Sequence, residues 1–297
     1  FDYYALSKVF SEMAVFDSGL KHWVSIRQTG QHPSAEGAGE EPIIFHQPAN
    51  NVLEWSTSIE SGICMANVCE DWVPESFWRK GYNLSSGPEY RLSCWELTDM
   101  MMEPFGISIK DLYDADALPL YNFHGQYYTD SKVLDDYLHF RCIPGAMYWG
   151  GVKDEMTRMA NNPMIRAIFP TKEQMYLHNK EIGAKKGGLY YALEHGDENW
   201  IKAFYGSAEK RAAIGTWDDV ELFHASEENE TYLNHGYDES KGLENLTLED
   251  LQKAAAYRGG KCLAEAGPAD IYTPITWECA DGHVFKLSVN AVLQGGH

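Results

Sequence analysis

Cysteine is scarce in this chain: six residues in 297, scattered as Cys64, Cys69, Cys94, Cys142, Cys262 and Cys279. So few thiols, so widely spaced, read as reduced side chains of a cytoplasmic protein rather than a disulfide frame. Clusters of lysine or arginine are missing. The 24 basic residues face 44 acidic ones, for a net charge of −20, which argues against a nucleic-acid surface. Acidity of that size usually means little beyond solubility. No run reaches the eighteen or so apolar residues of a membrane span, so no membrane partner is expected. Internal repeats are lacking too. Neither a signal peptide nor a methionine opens the chain, and a helix pattern starting at Phe1 is what a fragment would give.

What is present is ample material for a core: 44% hydrophobic and 13% aromatic residues. At this length two or more compact units are expected. The most informative stretch is the first, Phe1-Asp2-Tyr3-Tyr4-Ala5-Leu6-Ser7-Lys8. A tyrosine and a lysine four apart lie one turn above each other on a helix. A nearby ammonium favours the ionised form of a phenol, so Tyr4 and Lys8 form a candidate acid/base for moving a hydroxyl proton. The spacing also occurs at Tyr128/Lys132, Tyr176/Lys180, Tyr237/Lys241 and Tyr257/Lys261, so context must separate the copies. Leu6, Val9, Phe10 and Met13 recur at helical spacing until Gly19. A strand-like run, His22 to Ile26, follows and closes in Arg27-Gln28-Thr29-Gly30.

That order of tyrosine, helix, strand and arginine-led loop resembles the middle of an extended short-chain dehydrogenase/reductase, the family of NAD-dependent nucleotide-sugar epimerases and dehydratases. The alternative is an ordinary amphipathic core helix. The resemblance covers residues 1 to about 145. It implies an α/β fold, the C-terminal part of a Rossmann-type doubly wound domain over 1–147 with its substrate lobe. It further implies NAD or NADP as cofactor, with Tyr4 and Lys8 as the catalytic pair and Tyr4, Lys8, Gln28, Thr29 and Gly30 as cofactor contacts. A homodimer paired through the tyrosine-bearing helix is implied as well. The family's upstream Ser/Thr and its Gly-rich pyrophosphate turn do not occur in these residues. Gly30 stands where many sugar-nucleotide enzymes carry asparagine, which weakens sugar-nucleotide specificity.

Further along, 31–42 reads as an exposed Gly/Ser/Glu-rich loop, and Pro42–His46 as a short strand. Val52 to Val68 suits strand-to-helix packing, and Tyr82-Asn83-Leu84 a strand leaving into the turn at Gly87. Ser93 with Glu96 forms a capping box for a helix carrying Leu97, Met100 and Met101, broken at Gly106. A second helix is expected over Ser131 to Phe140. The loop Asn122 to Tyr128 is dense in hydrogen-bonding and aromatic groups, so His124, Tyr127 and Tyr128 are candidate substrate contacts. Packing is their alternative role. Residues 148–245 read as a helical region, with an acidic solvated face at Ser226–Glu230.

In the tail (246–297), Thr247 and Asp250 start a helix that Gly259-Gly260 stops. Ile275–Cys279 and Val284–Val289 then form a hairpin. Gly-Gly-Lys-Cys-Leu followed by Trp-Glu-Cys-Ala-Asp-Gly-His resembles a small treble-clef zinc module lacking its closing Cys-Pro-x-Cys pair. It implies Cys262, Cys279 and His283 as metal ligands, with zinc as a second cofactor. Two buried thiols are the alternative, and three ligands fall short of the four of a structural site. The expected function is NAD(P)-dependent oxidation, reduction, epimerisation or dehydration of a hydroxylated small molecule, nucleotide sugars included. A non-catalytic dinucleotide-binding sensor or scaffold is the alternative.

Overall fold

Local side-chain chemistry sets where the helices begin. The Ser93 hydroxyl accepts from the Glu96 N–H while the Glu96 carboxylate accepts from the Ser93 N–H, and Thr171/Gln174 and Thr247/Asp250 repeat the device. Each such cap contributes about 1 kcal/mol. The computed structural model describes residues 3–32, 42–121, 125–225, 235–239 and 241–293. The expected loop at 31–42 and acidic face at Ser226–Glu230 therefore fall largely or wholly outside the described residues.

The chain opens with α1 (Tyr3–Phe16) and β1 (Val24–Gln28), then β2 (Val52–Glu54), α2 (Ser58–Asn67), β3 (Lys80–Leu84) and β4 (Arg91–Ser93). Next come α3 (Cys94–Met102), α4 (Ile109–Leu112) and α5 (Lys132–Leu138). A helical run follows: α6 (Gly145–Asn161), α7 (Pro163–Ile168), α8 (Lys172–Gly183), α9 (Leu189–Glu194), α10 (Glu198–Tyr205) and α11 (Ala208–Ala212). The tail holds α12 (Leu248–Tyr257), β5 (Lys261–Cys262), β6 (Pro274–Glu278), β7 (Val284–Ser288) and α13 (Val289–Leu293). The fold is mixed α/β with small sheets.

β1 and β3 are parallel, in register from Val24↔Lys80 to Gln28↔Leu84. Parallel neighbours need a crossover, and α2 lies within it, making a βαβ unit. Its core joins Val24, Ile26, Tyr82 and Leu84 of the strands to Cys64 of α2 and to Leu134 and Leu138 of α5. β2 and β4 pair antiparallel, with Glu54 opposite Arg91. The tail sheet, β5-β6-β7, is antiparallel and closes with α12 and α13 around Trp277, whose indole N–H donates to the Leu287 carbonyl at 2.9 Å. Two other clusters mix residues from both sides of position 147, among them Phe45 and Ala117 with Leu189 and Tyr205.

Pro42–His46 is a 3₁₀ helix, not the strand that its apolar run suggests. Proline is pre-set for a helical first position, and Phe45 is drawn into the cluster with Leu189 and Phe204. Among the described residues no helix is long and apolar enough to cross a membrane.

Candidate functional site

α1 is amphipathic by sequence, yet of its residues only Phe16 is fully buried. Val9 and Phe10 remain 51% and 67% exposed. The helix lies beside β1 and leaves between them an open cleft of about 890 Å³. Every residue from Val24 to Thr29 borders this cleft. A cleft over one face of a strand would meet only alternate residues, so it runs along the edge of β1. Among the described residues β1 pairs with β3 alone.

Tyr4, Lys8, Gln28 and Thr29 all line that cleft. The Lys8 ammonium sits 5.2 Å from the centre of the Tyr4 ring. One turn further on, Glu12 could compete for Lys8, but it is held elsewhere. Arg27 grips its carboxylate through two N–H groups at 2.7 and 3.0 Å, and the Ser25 hydroxyl donates to it at 2.7 Å. The Tyr176/Lys180 pair is also stacked, at 4.5 Å. There, however, the phenol donates to both Asp114 oxygens and Lys180 bridges to the same carboxylate at 3.3 Å. Hydrogen bonding to Tyr176 and the charge of Asp114 push Lys180 up to about 12. That copy is locked; the first opens on a cleft.

Thr29 is 6% exposed, and its hydroxyl has no partner among the described residues although its N–H donates to the Leu84 carbonyl. Such an orphaned group is what a bound polar ligand could satisfy. The Gln28 amide donates to the Ser61 hydroxyl at 3.2 Å, turning that side chain towards α2. Gly30 is packed from outside: a Cβ there would stand 3.0 Å from Leu53 and 3.3 Å from the Trp55 ring. An asparagine at this position would displace both.

His124 lies outside the described residues, with Asn122 and Phe123. Tyr127 is 51% exposed, its ring 4.8 Å from the Arg91 guanidinium. Tyr128 donates to the Arg27 carbonyl at 3.4 Å, and burial raises its phenol. Tyr128 thus meets the strand that borders the cleft, although neither tyrosine lines the cleft itself. The anchor of Tyr128 is a buried network. Arg91 donates to Glu54 at 2.6 Å and to the Tyr128 carbonyl at 3.1 Å, and Glu54 also accepts from Ser85 and Ser131.

The tail residues divide. Cys279 and His283 are brought together, sulfur to Nδ1 at 3.6 Å, and Asp281 joins them. Cys262 instead faces Trp277 across the sheet and is buried in the tail core.

Sequence reasoning missed Glu12, although it falls four residues after Lys8 on the same stripe. It missed His32, whose Nδ1 is 3.0 Å from the Tyr148 hydroxyl and whose ring meets Trp55 and Trp149 edge-on. Burial lowers the pKa of His32, and nothing in the local sequence marks a partner 116 residues away. Comparison of the chain with protein-family models, with curated proteins and with solved structures gives no match.

Proposed function

We propose that this chain carries the catalytic pair of an NAD(P)-dependent oxidoreductase, epimerase or dehydratase acting on a hydroxylated small molecule. One observation carries the reading. Tyr4 and Lys8 face the loop after the first strand of a βαβ unit across a single open cleft. A Rossmann-type domain is built by repeating such βαβ units. Ligands of open parallel sheets bind beyond the carboxyl ends of the strands, where Thr29 keeps an unsatisfied hydroxyl.

Tyr4, Lys8 and Thr29 would hold a nicotinamide ribose and ring, the group that supplies or accepts the hydride when bound. The chain's own part is proton movement. The Tyr4 hydroxyl takes a proton from, or returns it to, the substrate hydroxyl. The Lys8 ammonium lies beside the Tyr4 ring, 5.2 Å from its centre, and is placed to meet the ribose hydroxyls. Arg27 and Ser25 keep Glu12 from pairing with Lys8. Exposed Tyr3, Val9 and Phe10 on α1 support a homodimer through this helix, for which light scattering is the check.

Tyr4→Phe removes only a hydroxyl and is expected to lower turnover by about 10²–10⁴-fold while dinucleotide binding persists. Consumption of reduced nicotinamide with a panel of hydroxy and oxo substrates, sugar nucleotides included, is the readout. A loss of less than about threefold removes Tyr4 from the mechanism. Dinucleotide binding without turnover by the parent identifies a sensor instead.

A further inference from the structure

We propose that the turn between β6 and β7 binds a divalent ion of the zinc class through Cys279, Asp281 and His283. The inference is independent of the nicotinamide reading and uses a different donor set from Cys262, Cys279 and His283. Cys262 does not fit: its register partner is Trp277, and it packs among Leu251, Ala254 and Val292.

The backbone explains why these three converge. The Gly282 N–H donates to the Cys279 carbonyl and the Cys279 N–H to the His283 carbonyl, both at 3.0 Å. Gly282 has φ +80°. This is a three-residue hairpin loop ending in a left-handed residue. Cys279 and His283 are its closing pair, and directly opposed residues project to the same face. Asp281 stands at the top of the turn, and the donor atoms of all three lie within 4.8 Å of one another.

The distances favour an ion. Zinc bonds of about 2.3 Å to sulfur and about 2.0 Å to nitrogen, at the tetrahedral angle, place those atoms roughly 3.6 Å apart. Cys279 Sγ and His283 Nδ1 are 3.6 Å apart already. A thiol–imidazole hydrogen bond accounts for that pair, but it assigns no part to Asp281. The exposed Asp281 carboxylate, with an oxygen within 4.8 Å of both donors, supplies the third vertex. Thiolate with imidazole selects zinc or cobalt over magnesium and calcium.

Cobalt(II) is the probe, because a thiolate–cobalt bond adds a charge-transfer band in the near ultraviolet. Titration of the intact chain is expected to give that band with one equivalent bound, and zinc should displace it. Cys279→Ser is expected to abolish the band, and Cys262→Ser to leave it unchanged. Asp281→Asn and His283→Ala should each weaken apparent affinity about tenfold or more, since each deletes one ligand bond. Cys69 and Cys142 are also exposed thiols, so a band that survives Cys279→Ser overturns the proposal. Absence of the band, its loss in Cys262→Ser, or full affinity in Asp281→Asn overturns it equally. Cys279, Asp281 and His283 are exposed or half-exposed on a turn, Cys262 is buried, and an unchanged far-ultraviolet circular dichroism spectrum confirms that each variant is folded.

Discussion

At the scale of single residues, Glu54 and Arg91 are the most demanding pair in the molecule. Their side chains are 0% and 5% exposed and meet at 2.6 Å. Two charges taken out of water are tolerated only while each satisfies the other. Removing one partner leaves a buried charge alone, so Arg91→Met is expected to destabilise the fold by about 3–5 kcal/mol. The double change Glu54→Leu/Arg91→Met should recover a large part of that loss. Urea unfolding of the three proteins measures both effects, and a single-variant loss below about 1 kcal/mol contradicts a buried ion pair. Because Arg91 also holds the Tyr128 carbonyl and the Tyr127 ring, the single variant should loosen the strip beside the cleft. Hydrogen exchange at residues 125–128 reads this directly.

Among the elements, α12 depends on the chemistry of its first turn. The Asp250 carboxylate is buried and accepts from the Lys241 ammonium at 2.9 and 2.8 Å, from the Thr247 N–H at 2.8 Å and from the Thr247 hydroxyl at 2.7 Å. These bonds, Lys241 foremost, hold its carboxyl well below the usual aspartate range. A depressed folded-state pKa stabilises above the ordinary value of about 3.9 and loses that contribution as pH falls below it. The tail should therefore keep this contribution from neutral pH to about pH 4 and lose it progressively as pH falls from about 4 towards 2. In Asp250→Asn, stability at neutral pH should already be lower, and this part of the acid dependence should vanish. Thermal unfolding across that range, followed by far-ultraviolet circular dichroism, is the test; parallel pH profiles for the two proteins would contradict it.

Elements whose cause is local were legible in the sequence. The capping boxes at Ser93 and Thr247 and the hairpin from Ile275 to Val289 need only neighbours within a few residues. Pro42–His46 was misread because Phe45 answers to a core built from Leu189 and Phe204, more than a hundred positions away. The exposure of Val9 and Phe10 was equally invisible, since a periodic stripe shows which side is apolar but not whether anything covers it. In the candidate site, the Tyr4/Lys8 spacing and the Thr29 loop could be read in advance. The Glu12–Arg27 bond, the His32–Tyr148 contact and the approach of Asp281 to Cys279 and His283 could not. Each depends on which strands and turns come to lie together.

On the scale of the whole molecule, the tail is fastened to α1. Asn290, 0% exposed, donates to the Phe16 carbonyl, and the Ser288 hydroxyl donates to Asp17 at 2.7 Å. Asn290→Ala leaves a buried carbonyl without its donor and should destabilise by about 1–3 kcal/mol. These two bonds join positions 274 and 271 residues apart. For a flexible polymer, closing so large a ring has an entropy cost of about 5 kcal/mol plus a constant. Inner clusters that form first shorten the effective span, so this clasp belongs among the last contacts made. Its loss should then appear in the unfolding limb of a stopped-flow chevron and leave the folding limb in place. Kinetically, the contact between α1 and the tail is a latch: it sets how long the folded chain survives rather than how fast it forms.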